Sequence, residues 1–177
     1  MINEKDIRDE TLLDIAKKMM TAARTAPKGK GVDTLEIAAI TGSEITKMSD
    51  YLNKMVSEGR APDFFARDAG NILQSPVVVL IGTKIQPLGV APCGYCGFSN
   101  CAEKAGSPDT PCVFNVTDLG IAIGAAVSIA ADNRVDNRVM YTIGVAAKEM
   151  GMFDADVKII YGIPVSATSK SPFFDRK

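Results

Sequence analysis

The run Pro76-Val77-Val78-Val79-Leu80-Ile81-Gly82 constrains the fold more than any other segment of the chain. It is apolar without alternation and rich in β-branched residues, so a strand formed here presents apolar side chains to both sides of a sheet. Such a strand has to be covered on both faces, and the flanking segments supply the cover. From Asp6 to Ala26, apolar residues at Ile7, Leu12, Leu13, Ile15, Ala16, Met19, Met20 and Ala23 recur at helical spacing. Pro27 and Lys28-Gly29-Lys30-Gly31 end that helix. Thr34 to Ile40 reads as a short buried strand, and Thr41-Gly42-Ser43 turns into a helix with Ser43 as its N-cap. Ile45, Met48, Leu52 and Met55 give that helix its apolar face as far as Gly59. A further helix is expected from Pro62 to Leu73, with Pro62 in its first turn.

The second half continues the alternation. Asn115 or Thr117 can cap a helix running to about Ala131, and Asp136 can cap another that Gly151 closes after Met150. Val157 to Tyr161 reads as the last strand, with Gly162-Ile163-Pro164 leaving it and an extended, polar tail behind. Helices on both sides of a small central sheet make an α/β (α+β) three-layer domain. With 177 residues, 46% of them apolar and 23% charged, one domain over 1–177 with an ordinary core is expected.

Several function classes are excluded early. The 20 Lys and Arg residues balance 21 Asp and Glu and are scattered, which leaves no footprint for nucleic acid or an anionic membrane. The N-terminus, MINEKDIRDETLLD, has no apolar h-region, so a secretory signal is not expected there. The longest apolar stretch, Leu119 to Ala131, is about 13 residues, short of the roughly 20 that span a bilayer. A cytoplasmic location with reduced thiols is therefore expected. The chain has no histidine, which rules out a Ser-His-Asp triad, a Cys-His pair and an HExxH metal site within it.

All four cysteines fall in one window, CGYCGFSNCAEKAGSPDTPC: Cys93, Cys96, Cys101 and Cys112. Two thiols three residues apart can grip one ion or cluster from a single tight turn. Gly94 and Gly97 follow them and let the backbone fold back toward the sulfurs. Pro92, Pro108 and Pro111 stiffen the segment from about 90 to 115 without needing ladder hydrogen bonds. One short pair plus two more widely spaced cysteines is closer to iron–sulfur patterns than to paired zinc knuckles, though it matches neither common ferredoxin spacing. An iron–sulfur cluster and a structural zinc ion both stay open on spacing alone, as do unliganded or oxidised thiols.

Two smaller patterns stand out. In Asp118-Leu119-Gly120-Ile121-Ala122-Ile123-Gly124-Ala125-Ala126, small residues share a helical face, suited to a closely packed core helix or a dimer interface. The near-duplicate DNRVDNRV from Asp132 to Val139 supplies Asp136 as a cap and Arg138 in the following turn, a pattern of ordinary capping and salt bridging, with an anion site as the sharper alternative.

The run AARTAPKGKGVDTLEIAAITG (Ala22 to Gly42) resembles the segment by which nitroreductase-fold flavoproteins leave their first long helix, pass a flavin-contacting loop and enter the sheet. DLGIAIGAA and GIPVSATSKSPFFDR resemble that superfamily's second half. With CGYCGFSNC, DNRVDNRVMYTIG and the terminal FFDR, the chain most resembles the uncharacterised ferredoxin-domain-containing family, in which a nitroreductase-like domain carries a four-cysteine insert. The superfamily's arginine-rich opening is reduced here to Arg8 and Arg24, and its APSxxN loop reads Ala26-Pro27-Lys28-Gly29-Lys30-Gly31. The resemblance implies an oxidoreductase or electron-transfer protein, with the cysteine centre as relay and an FMN-type pocket at a homodimer interface; the alternative is a non-enzymatic homodimeric binding module whose four cysteines hold a structural zinc. It also implies a redox partner protein. On that resemblance, Arg24, Lys28, Lys30, Lys170 and Arg176 are the candidate contacts for an FMN phosphate. The dimer interface would contain the 118–131 helix or the long first helix.

Overall fold

A computed structural model of the chain describes residues 1–174, so Arg176 lies outside the described residues. The elements are α1 (Glu4–Thr25), a 3-10 turn (Gly29–Gly31), β1 (Leu35–Thr41), α2 (Ser43–Ser57), α3 (Phe64–Ile72), β2 (Val77–Lys84), α4 (Cys101–Ala105), α5 (Val113–Asp132), β3 (Asp136–Asn137), α6 (Tyr141–Glu149) and β4 (Val157–Ser166).

The four strands form one antiparallel sheet in the order β1-β2-β4-β3. The apolar run is its centre: Val79 lies opposite Ala39 on one side and Ile163 on the other. Period-two alternation then divides the run between two cores. Val77, Val79 and Ile81 pack with Leu12, Met19, Leu119, Ala122 and Ala126, under α1 and α5. Val78 and Leu80 pack with Met48, Leu52, Ile72 and Ile143, under α2, α3 and α6. This is the expected three-layer arrangement. At Gly144 of α6 the approach is closest, because an added Cβ would stand 1.7 Å from the Ile160 carbonyl oxygen.

Several boundaries differ from expectation. Ser43 is the first helical residue of α2 and makes no capping bond; Gly42, at φ 51°, holds the N-cap position. α5 begins at Val113, with Cys112 as N-cap residue, so Asn115 and Asp118 lie inside the helix and are buried. Asp136 does not cap α6. Asn133 ends α5, Arg134 turns the chain at φ 59°, and Asp136-Asn137 pairs with β4. Arg138 consequently sits outside a helix turn, donates to the Phe173 carbonyl at 2.9 Å and covers the Phe174 ring.

β4 also runs on through Pro164. Gly162 exchanges both of its main-chain bonds with Met140, on the side away from β2. Two residues later the missing Pro164 N–H points to that same outer side, so the ladder to β2 is not broken. Finally, α5 has 20 residues, and an 18-residue window within it has a mean hydropathy of 1.7, long and apolar enough to cross a membrane, where the sequence suggested a shorter apolar stretch. Leu119, Ala122, Ala126 and Ala130 nevertheless pack it into the core beside α1.

Candidate metal centre

Between the end of β2 and the start of α5 the chain forms no strand, and its one helix is the short α4. Its course is set by a few side chains and by glycine. On leaving β2, the Gln86 N–H donates to Asn115 Oδ1 at 2.8 Å. The Ala91–Pro92 peptide is cis. Gly94 (φ 71°) and Gly97 (φ 87°) occupy left-handed backbone that other residues adopt at a cost, and the Gly97 N–H closes a turn on the Gly94 carbonyl at 3.0 Å. That turn carries Cys93 and Cys96. Asn100 then caps α4 by accepting from the Glu103 N–H at 2.9 Å, which puts Cys101 at the helix start. Cys112 occupies the corresponding place at the head of α5. Two thiols thus come from a glycine turn and two from helix starts.

All four line one cavity of about 270 Å³, whose apolar wall includes Leu88, Phe98 and Phe114. Each is a free thiol; Cys112 is buried and the other three are partly exposed. Tyr95, between the first two cysteines, stacks on Phe114 with ring centroids 6.4 Å apart and is itself largely exposed. Among the described residues no three Cys, Asp or Glu side chains are close enough together to chelate one ion.

Electrostatics at this cavity favour negative charge. α5 presents its N-terminal residues Val113 and Phe114 there, and the N-terminus of a 20-residue helix carries a partial positive charge. Lys104 also lines the cavity and is 1% exposed. The neighbouring Glu103 carboxylate is turned to the Ser99 N–H at 2.7 Å, and hydrogen bonding there holds it below the usual carboxylate range.

The basic residues named from the resemblance are dispersed. Arg24 pairs with Asp33 at 2.6 Å and also donates to the Leu35 carbonyl. The Lys28 ammonium meets the Ala23, Arg24 and Ala26 carbonyls, closing the C-terminus of α1. Lys30 donates to the Leu88 carbonyl at 3.1 Å, which joins the basic loop to the cysteine cavity wall. Lys170 is exposed in the turn after β4, where Thr168 donates to its carbonyl.

Three residues matter here that the sequence did not single out for this role. Asp118 accepts from the Gly29 N–H with both oxygens, at 3.1 and 3.0 Å, and so holds the basic loop onto α5. Asn115 anchors the exit from β2, and its buried Nδ2 has no hydrogen-bond partner among the described residues. The third is Lys104. Two polar residues three apart in an apolar helix were a usable signal for the first pair; nothing in the sequence distinguishes Lys104 from a solvated lysine.

Fold and cavity together define a class: a nitroreductase-fold protein with a four-cysteine loop between its second strand and its longest apolar helix. A nitroreductase family protein from Clostridium novyi NT superposes with a TM-score of 0.59 at 15% identity, over 92% of this chain and 76% of that one. A nitroreductase with bound FMN from Desulfitobacterium hafniense DCB-2 gives 0.59 at 13% identity, over 89% and 78%. In sequence, a protein of Archaeoglobus fulgidus described as "Uncharacterized protein" is 43% identical over 99% of this chain and 97% of its own length. Residues 108–176 match the family described as "Uncharacterized protein containing a ferredoxin domain", and the chain belongs to that family.

Proposed function

We propose that the protein is a redox protein in which Cys93, Cys96, Cys101 and Cys112 hold an iron–sulfur cluster on the nitroreductase-like scaffold. The observation that carries this is the placing of four free thiols around one cavity. A single tetrahedral ion with metal–sulfur bonds of about 2.3 Å needs sulfurs about 3.8 Å apart. A cluster spans a wider set of thiols, and one short cysteine pair followed by two more widely spaced cysteines is closer to iron–sulfur patterns than to paired zinc knuckles. The family's description names a ferredoxin domain, and the matched residues 108–176 include Cys112 of the four cysteines. A cluster supplies one-electron transfer when bound, and the chain's own contribution is to fix the sulfurs, shield them with Leu88, Phe98 and Phe114, and bring the helix N-terminus to them. The test is anaerobic reconstitution followed by iron and acid-labile sulfide analysis. Iron with sulfide and broad visible absorption is expected; zinc without sulfide overturns the cluster in favour of a structural staple.

The flavin half of the reading is supported by the fold, which the FMN-bound Desulfitobacterium protein shares. Arg24, Lys28, Lys30, Lys170 and Arg176 would hold the phosphate. Of the described four, Lys28 would first have to leave the three carbonyls it meets, and Lys30 makes one bond from an ammonium with three donors. FMN titration of the wild type against Lys30→Ala tests this, with at least about tenfold weaker binding expected in the variant. No binding by the wild type overturns it.

Assembly as a homodimer is part of the proposal. The outer face of α5 exposes Val116 and Ile121, and around Gly120 and Gly124 nothing lies within 4 Å of an added Cβ. An apolar face with small residues suits close approach by a second copy. A monomer mass of 18.8 kDa by light scattering at micromolar concentration would rule this out.

A further inference from the structure

We propose that Lys104 is the buried counter-ion of the four-thiolate centre, setting both its affinity for metal and the ease with which it accepts an electron. This rests on the cysteine reading given above. Lys104 is among the largest fully buried side chains of the protein. Its ammonium has three donors, and its hydrogen bond is to the Ser107 carbonyl at 3.2 Å.

Among the described residues no carboxylate pairs with it. Glu103, its neighbour in α4, is turned to the Ser99 N–H, and Asp109 is solvent-exposed beside Lys158. Removing an ammonium from water carries a penalty of several kcal/mol, which one carbonyl does not offset. The remaining source of negative charge is the set of sulfurs on the cavity that Lys104 itself lines.

The charge arithmetic does not depend on the metal. Four thiolates around either zinc or an iron–sulfur core of charge about +2 leave a net charge of about −2. A buried cation beside such a group favours its assembly. It also favours the reduced over the oxidised cluster, since reduction adds one electron and one more negative charge. A lysine that merely tied down the Ser107 carbonyl would change stability and leave both properties alone.

The experiment compares wild type with Lys104→Met, Lys104→Gln and Lys104→Arg, all with the four cysteines intact. Clusters are reconstituted anaerobically and titrated with dithionite as the one-electron reductant, and separately the metal-free proteins are titrated with Zn2+. The two neutral variants should show a tenfold lower ratio of reduced to oxidised centre at a fixed potential, a fall of 59 mV for one electron. They should also bind Zn2+ at least tenfold more weakly, while Lys104→Arg stays near wild type in both. Neutral variants that match wild type in potential and in Zn2+ affinity overturn the proposal. If wild type takes Zn2+ but assembles no cluster, the iron–sulfur reading fails and the Zn2+ arm alone decides Lys104. If it takes neither, there is no thiolate centre and both fall.

Discussion

β2 and the segment that follows it are continuous in sequence and held by opposite means. β2 is laddered to β1 and β4 along both edges, and cores on both faces bury its apolar side chains completely or nearly so. From Gln86 to Ser99, by contrast, Gly97 to Gly94 is the only hydrogen bond between two main-chain groups among the described residues, and the path is fixed from outside by Asn115 and Lys30. One region is stable because it is packed. The other borders a cavity in place of a core, and the four cysteines are among the residues that line it. A local opening of the second should therefore leave the first intact.

The comparison breaks most easily at its strong end. Gly144→Ala drives a methyl into the Ile160 carbonyl, a backbone atom that cannot rotate away, so α6 must lift off β4. Overpacking of this kind should cost about 3 kcal/mol, read as a lowered urea midpoint, and should leave the metal content per folded molecule unchanged. Asp118→Ala comes next. It strands the Gly29 N–H and frees the basic loop, costing about 2 kcal/mol, and Asp118→Asn should recover most of that by keeping an acceptor. Replacing all four cysteines with serine should have a smaller global effect, under about 1 kcal/mol, while abolishing metal binding and speeding hydrogen exchange between residues 86 and 99. A global loss as large as that of Gly144→Ala would mean that the cysteine loop, too, is part of the packed core.

The sequence was most informative where one kind of force decides the structure. The unbroken run at Val77 to Ile81 could satisfy its side chains only in a doubly covered strand, and the periodicity of the segment that became α1 left little freedom. Four thiols in one window identified the candidate centre. What could not be read depends on contacts distant in the chain. Asp118 meets Gly29 across 89 positions, and Asn115 meets Gln86 across 29, so their roles are invisible to local patterning. The second DNRV copy reads as a helix cap because Asp favours that place, but β4 offers Asp136 a strand partner and tertiary pairing wins. Lys104 lies three residues after Cys101, and its burial is a property of the closed loop, not of its neighbours in sequence.

The smallest effect tests whether the join between the two regions is electrostatic. Asp33 anchors the end of the basic loop by accepting from Arg24 and from the Leu35 N–H. Burial pushes its carboxyl up, but the Arg24 and Leu35 hydrogen bonds, with the charges of Arg24 and Lys28, more than offset this and hold it below its ordinary value of 3.8. A carboxyl lowered in the folded state gives stability that is fully present above that ordinary value and is lost as pH falls through the lower folded one. The pair is a third to a half exposed, so solvent screening limits it to roughly 0.5 kcal/mol. Between pH 5 and pH 3, as ranges about the ordinary Asp value, wild type should therefore lose slightly more stability than Asp33→Asn, and high salt should narrow the gap between them. Parallel stability curves for the two proteins would show that Asp118 and main-chain contacts alone hold the loop, and that charge contributes nothing to the join.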